Sequence, residues 1–191
     1  MLFRSLSCGR AAGGTEVRIV DEDRNPVPPG TVGEIAVKGP QLMKQYWNLP
    51  EATAKTLVDG WLYTGDAAKM DEEGYVFIQD RIKDMIVSGG ENVYPKEVEN
   101  ALFDHEKVAD AAVIGIPDEK FGEAILAFIQ TRDGNELDQE ELIAFCRERL
   151  AGYKVPRQYK FIAEIPRNAS GKVLKKDLRE PYWEGVERRV G

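Results

Sequence analysis

Histidine occurs once and cysteine twice in the 191 residues, so the side chains that build most zinc sites and disulfide frameworks are scarce. Cys8 stands near the N-terminal end, Cys146 falls inside a predicted helix, and His105 has no second ligand type spaced beside it. A structural metal or a disulfide scaffold has no support. His105 follows Asp104 at the end of a predicted helix, where an exposed or C-terminus-facing imidazole is expected rather than a catalytic one. Long apolar runs are also missing. None approaches the roughly 20 residues of a membrane helix, and Met1 to Gly14 lacks the apolar region of a secretory signal. A cytoplasmic protein without an integral membrane segment is expected. A surplus of positive charge is absent too: 26 Lys and Arg stand against 33 Asp and Glu, a net charge of -7, and the basic residues form no stripe. That balance argues against a nucleic-acid partner.

What is present is a globular composition. A hydrophobic content of 42% over 191 residues suffices for one ordinary domain or two small ones. Neither an internal repeat nor a low-complexity tract interrupts it.

Thr15 to Asp21 alternates in Thr-Glu-Val-Arg-Ile-Val-Asp, turns through Asn25-Pro26 and Pro28-Pro29-Gly30, and resumes extended in Gly33 to Val37. That pattern predicts strand, turn, strand. Trp61-Leu62-Tyr63 leads into Thr64-Gly65-Asp66, and Asp71 to Gly74 separates it from the extended Tyr75 to Ile78. The first 80 residues therefore read as mostly β and turn. After Asp80-Arg81-Ile82-Lys83-Asp84 the character changes. Pro95 suits a first helical turn, and Lys96 to Phe103 carries apolar Val98, Ala101 and Leu102, so a domain boundary is placed near Lys83.

Beyond it, Ala111 to Ile116 and Ala124 to Ile129 are continuous apolar runs of strand length. Asp138 to Leu150 reads as a helix, because Asp138 with Glu141 three residues on resembles a capping box and Leu142, Phe145, Cys146 and Arg149 follow along one side. Extended Tyr159 to Ile162 and a Pro, Asn, Ser and Gly loop ending at Lys172 complete a compact α+β unit.

Two glycine-bearing stretches could be taken for phosphate loops. Ser170-Gly171-Lys172-Val173 is not a P-loop, since Pro166 stands where the first Gly belongs and Val173 where Ser or Thr belongs. Val87 to Asn92 lacks the Gly-x-Gly-x-x-Gly of a dinucleotide fold. Taken in order, however, Tyr63-Thr64-Gly65-Asp66, Asp80 to Ile86, Ser88 to Glu99 and Arg167-Asn168-Ala169-Ser170-Gly171-Lys172 form a set of four. The set resembles the adenylate-forming superfamily of acyl-CoA ligases, luciferases and peptide-synthetase adenylation domains. The likeness runs from about Ser7 to Lys175, and Met1 to Leu6 has no counterpart in it.

The resemblance implies an α+β arrangement. Residues 1–80 would be the β-rich end of a large AMP-binding domain, 81–85 a hinge, and 86–191 a small mobile α+β cap. It also implies roles for particular residues. Asp66 would accept hydrogen bonds from the ribose hydroxyls of ATP, a task that suits a carboxylate, although a turn aspartate after Gly65 is the ordinary alternative. Arg81 would sit near the ribose and phosphates, or else in a surface ion pair with Asp80 or Asp84. Tyr63 and Ile78 would complete the nucleotide rim. Lys83 would be the hinge residue, or only a solvated linker lysine. Gly89 and Gly90 would let the backbone approach the pantetheine arm of coenzyme A, or would form a plain turn. Phe121, where relatives often carry Trp, would line that channel or belong to a core. Lys172 would reach the α-phosphate and carboxylate during adenylate formation, where a compact cation offsets gathering negative charge; a solvated cluster with Lys175 and Lys176 is the alternative.

The family's Ser/Thr/Gly-rich phosphate loop, its magnesium-holding motif and its acyl pocket do not occur in these residues. The chain is therefore expected to be a fragment or a truncated reading frame, inactive alone. Its function would belong to an ATP-dependent carboxylate:CoA ligase, with ATP, Mg2+ and coenzyme A required, a small-molecule carboxylate as substrate, and the Mg2+ ligands outside this stretch. Ser88-Gly89-Gly90-Glu91-Asn92 looks more like the bacterial fatty-acyl and aryl-CoA ligases than like luciferases. The alternatives are an adenylation module that loads a carrier protein and a non-catalytic interaction module.

Overall fold

The alternating segment Glu16–Val20 forms strand β1 and pairs antiparallel with β2, Val32–Lys38, in the computed structural model, which describes residues 7–132 and 136–186. Met1 to Leu6 lies outside the described residues. The chain divides into two compact units, Met1–Ile82 and Lys83–Gly191.

In the first unit a short helix α1, Pro50–Thr56, and a two-residue strand β3, Leu57–Val58, precede the long β4, Trp61–Met70, and β5, Val76–Arg81. The strands run in the order β1-β2-β4-β3, with β5 paired to β4, and every pairing is antiparallel. Ile19, Ile35, Ala68 and Val76 form its small core. Helix α1 departs from the β-and-turn expectation. Pro50 presets the first turn, Glu51 and Lys55 suit the two ends of the helix dipole, and Thr53 Oγ1 donates to Leu49 O at 2.8 Å. It buries no residue, so no apolar periodicity announced it.

The second unit starts with a hairpin of β6, Ile86–Ser88, and β7, Glu91–Val93, followed by α2, Pro95–Phe103. Strand β8, Val108–Asp118, then pairs antiparallel with β9, Gly122–Thr131. Helix α3, Gln139–Arg147, strand β10, Gln158–Phe161, parallel to β9, and helix α4, Lys175–Arg179, complete it. The two continuous apolar runs have a direct cause, because β8 and β9 are covered on both faces. Ala111, Val113, Ile125, Ala127 and Ile129 point to one face, with Val98 and Leu102 of α2 and Leu142 and Cys146 of α3. Ala112, Ile114, Ile116, Ala124, Leu126 and Phe128 point to the other, against Ile165, Val173, Leu178 and Tyr182.

Asp138 caps α3, its carboxylate accepting the Glu141 N–H at 2.8 Å. The helix stops at Arg147, earlier than Leu150. Glu141 turns to Lys107 Nζ at 2.8 Å and to His105 Nε2 at 3.3 Å. His105 is therefore not an exposed imidazole: it is 5% exposed, edge-on to Phe145 at 4.7 Å, because the chain folds back after α2 and Val108 N–H donates to His105 O at 3.0 Å. No helix among the described residues is long and apolar enough to cross a membrane.

Candidate functional site

The register of β2 against β4 jumps from Glu34↔Ala67 to Ala36↔Tyr63, which leaves Thr64, Gly65 and Asp66 bulged opposite Ile35. Local bonds hold this shape. Thr64 Oγ1 donates to Ile35 O at 3.1 Å, Asp66 N–H donates to Thr64 Oγ1 at 3.1 Å, and Gly65 N–H donates to Glu34 Oε1 at 2.8 Å. Gly65 has a φ of 72°, which a residue with a Cβ adopts only with strain. A bulge of this kind redirects the side chain that follows it.

That side chain is Asp66, which stands in register with Arg81 of β5. Arg81 Nε donates to Asp66 Oδ1 at 3.0 Å, with the two side chains 43% and 32% exposed. A carboxylate and a permanent cation thus lie side by side on adjacent strands and remain open to solvent. The cation can meet an anion, while the second carboxylate oxygen, unpaired among the described residues, can accept from hydroxyls. Asp84 pairs with Arg179 at 3.2 Å. Ile78 on β5 is 52% exposed and offers apolar surface. Tyr63 on β4 lies under the Arg24 guanidinium, 4.7 Å from its ring centroid.

In the second unit Gly89 and Gly90 form the β6–β7 turn with φ values of 63° and 86°, the left-handed pair that a two-residue hairpin requires. Gly89 N–H donates to Phe121 O at 2.8 Å, and a Cβ on Gly89 would stand 3.2 Å from Phe121 Cδ1. A Cβ on Gly90 would meet nothing within 4 Å. Phe121 is half-buried, with the Arg157 guanidinium 3.6 Å from its ring centroid. Arg157 was not singled out in the sequence, since a lone Arg after Pro156 carries no local signal.

Lys83 occupies the short 3-10 turn Ile82–Asp84 and is exposed. Lys172 sits on a tight loop that Asn168 organises. Asn168 Oδ1 accepts from Ser170 N–H at 3.0 Å, Ser170 Oγ at 2.8 Å and Lys172 N–H at 2.9 Å. Arg167 and Val173 bridge the base of the loop, and Gly171, at φ 80°, turns its tip. The Lys172 side chain is exposed and has no ion-pair partner among the described residues. Asn168 has a legible signal, since Asn before a Ser-Gly step favours this side-chain turn. Among the described residues no three His, Cys, Asp or Glu side chains gather as a metal cage.

Comparison with known proteins places relatives along this architecture. The AMP-binding enzyme C-terminal domain matches residues 97–172, and the AMP-binding enzyme family matches residues 3–47. A fatty acid–[acyl-carrier-protein] ligase, ScoC, of Streptomyces coeruleorubidus is 46% identical over 184 residues, which cover 96% of this chain and 36% of that protein. A long-chain-fatty-acid–CoA ligase of Bacillus subtilis (strain 168) is 51% identical over 171 residues, 89% of this chain and 30% of the relative. ATP-bound MatB from Rhodopseudomonas palustris superposes with a TM-score of 0.88 at 38% identity, over 95% of this chain and 37% of that one. The chain spans about a third of the length of the curated relatives it matches.

Proposed function

This chain belongs to the adenylate-forming family of AMP-binding enzymes, and we propose that it supplies the nucleotide rim, hinge and cap of an ATP-dependent carboxylate:CoA ligase. The single observation that carries the reading is the Asp66–Arg81 pair, a half-exposed acceptor and cation held side by side by a strand register and a bulge. Asp66 accepts the ribose hydroxyls of ATP, and Arg81 lies toward the ribose and phosphates. Ile78 and Tyr63 border the nucleotide.

Lys172 provides the compact cation as the substrate carboxylate attacks the α-phosphate, the phosphoric anhydride bond breaks and pyrophosphate leaves. Coenzyme A then attacks the acyl-adenylate carbonyl through its thiol, releasing AMP and leaving a thioester. Gly89 and Gly90 admit the pantetheine arm and Phe121 borders it, while Lys83 is where the backbone torsions change between the two steps. Mg2+ is assigned to residues outside this stretch, since no cage of His, Cys, Asp or Glu gathers among the described residues. We place the reaction in the cytoplasm, where ATP and coenzyme A are supplied.

A second reading has its own support. The 46% identity to a fatty acid–[acyl-carrier-protein] ligase favours a carrier-protein thiol as the final acceptor. One experiment separates the two. The chain is joined to the N-terminal two thirds of the Bacillus subtilis relative, and adenylate formation and thioester formation are assayed with fatty and aryl acids, offering either coenzyme A or a holo carrier protein. Acyl-CoA formation supports the first reading. A folded enzyme that forms acyl-adenylate but gives thioester with the carrier alone replaces it with the second. One that forms no adenylate while the relative does under the same conditions overturns both.

A further inference from the structure

Strand β8 pairs with β9 along one side only, so its outer edge carries backbone groups that need partners. Side chains supply them. Ala111 N–H donates to Asp110 Oδ1 at 2.9 Å, Val113 N–H to Glu99 Oε1 at 3.0 Å, and Gly115 O accepts Trp183 Nε1–H at 3.0 Å. Two of these side chains also hold the segment that carries Lys172. Asp110 pairs with Arg167 before the loop, and Glu99 receives Lys175 Nζ at 2.8 Å after it.

Glu99 is one of two buried acidic residues among those described, 5% exposed where Glu123 is 4% exposed. A carboxylate so far from water is retained at a cost in desolvation, and its partners must be well placed. Lys175 is correspondingly withdrawn, its side chain 13% exposed, and Lys96 Nζ approaches the other carboxylate oxygen at 3.8 Å. Lys172 shows the opposite arrangement, an exposed tip on a fixed stem.

We infer that Glu99 is a positioning residue for Lys172, acting through Lys175 to fix the C-terminal stem of the loop against β8. The stem is then ordered before any ligand arrives, and the Lys172 ammonium meets an anion without first losing the freedom of a floppy loop. This deepens the proposed function and rests on Lys172 acting in adenylate formation; the ordering itself does not.

The test uses the 191-residue chain. Backbone 15N relaxation at Gly171 and Lys172 reads the ordering without any activity, and amide exchange along β8 reads the fold. Glu99→Gln keeps an acceptor for Val113 N–H while removing the charge, and Lys175→Met removes the other half of the pair. Both are expected to loosen the Gly171 and Lys172 amides and leave β8 protected, while Lys175→Arg restores wild-type relaxation. Unchanged relaxation in the two variants overturns the inference. So does general loss of β8 protection in both, because Glu99 is then a core residue with no selective hold on the loop. In the joined ligase, Glu99→Gln is expected to slow adenylate formation about ten- to a hundredfold, the scale of a small misplacement, with thioester formation from supplied acyl-adenylate unchanged. If Lys172→Ala leaves adenylate formation intact while the relaxation result stands, the role given to Lys172 fails and the clamp survives.

Discussion

Phe121 lies against the bare face of Gly89, accepting its N–H at 2.8 Å and leaving 3.2 Å for the Cβ that Gly89 lacks. Gly90, its neighbour in the same turn, faces open space. The two glycines therefore answer different demands. Gly89→Ala is expected to cost more stability than Gly90→Ala, because both bear a left-handed penalty of about 1–2 kcal/mol and only Gly89 adds a tight contact, 3.2 Å from the new Cβ to Phe121 Cδ1. Urea denaturation of the two variants checks this, and equal losses contradict it. In the joined ligase, a bulky Gly90→Phe is expected to spare pyrophosphate exchange and block thioester formation; equal loss of both half-reactions in a folded variant sinks the pantetheine role.

The Asp66–Arg81 pair is half-exposed, and a pair in that setting contributes only about 0–1 kcal/mol. Asp66→Asn should consequently leave the melting temperature of the chain nearly unchanged while raising the KM for ATP of the joined ligase and slowing adenylation. A large stability loss without a kinetic effect points to a structural ion pair instead.

Lys172→Ala is expected to cut adenylate formation by about a hundredfold or more, the scale of removing a preorganised charge-stabilising group. Attack of coenzyme A on supplied acyl-adenylate should stay near wild type, since no triphosphate remains to be neutralised. The 191-residue chain on its own should release no pyrophosphate with any carboxylate, because no phosphate loop occurs in it. Turnover by the isolated chain would falsify the reading at its base.

Tyr159 Oη is buried against the Cys146 thiol, a weak hydrogen-bond partner for a phenol. Burial pushes both acids up from their ordinary values, the thiol from 9.0 and the phenol from 10.0. Each folded-state value exceeds the unfolded one, so this contribution to stability is fully present below about pH 9 and is lost as pH rises further. Stability measured in urea should fall as the pH rises from about 9 to 11, and Tyr159→Phe should flatten that fall. The same substitution should cost little at pH 7, since the buried hydroxyl it removes faces a thiol, a weak hydrogen-bond partner. An alkaline slope identical to wild type rules the tyrosine out.

Much of the fold was legible where the reason for a residue is local. Asp138 with Glu141 announced the start of α3, Pro95 the start of α2, and the unbroken runs Ala111 to Ile116 and Ala124 to Ile129 announced strands, which the packing then covers on both faces. The reciprocal half of the suggested capping box was not legible. Glu141 is drawn away by Lys107 and His105, which come from a distant turn. Helix α1 escaped for the opposite reason, since a helix that buries nothing leaves no periodic mark.

The four ordered motifs were sufficient by themselves to suggest the family, because Asp66, the paired glycines and Lys172 stand in one fixed order, and the family matches bear that out. Pairing was another matter. That Arg81 would meet Asp66 rather than a neighbour in sequence was decided by the β4–β5 register, and that Glu99 would be buried against Lys175 was decided by the return of the C-terminal segment along β8. A charged side chain carries the same letter whether it ends in water or in an ion pair. Only the packed chain fixes the dielectric around it and the partner within reach, and those two quantities set its energy.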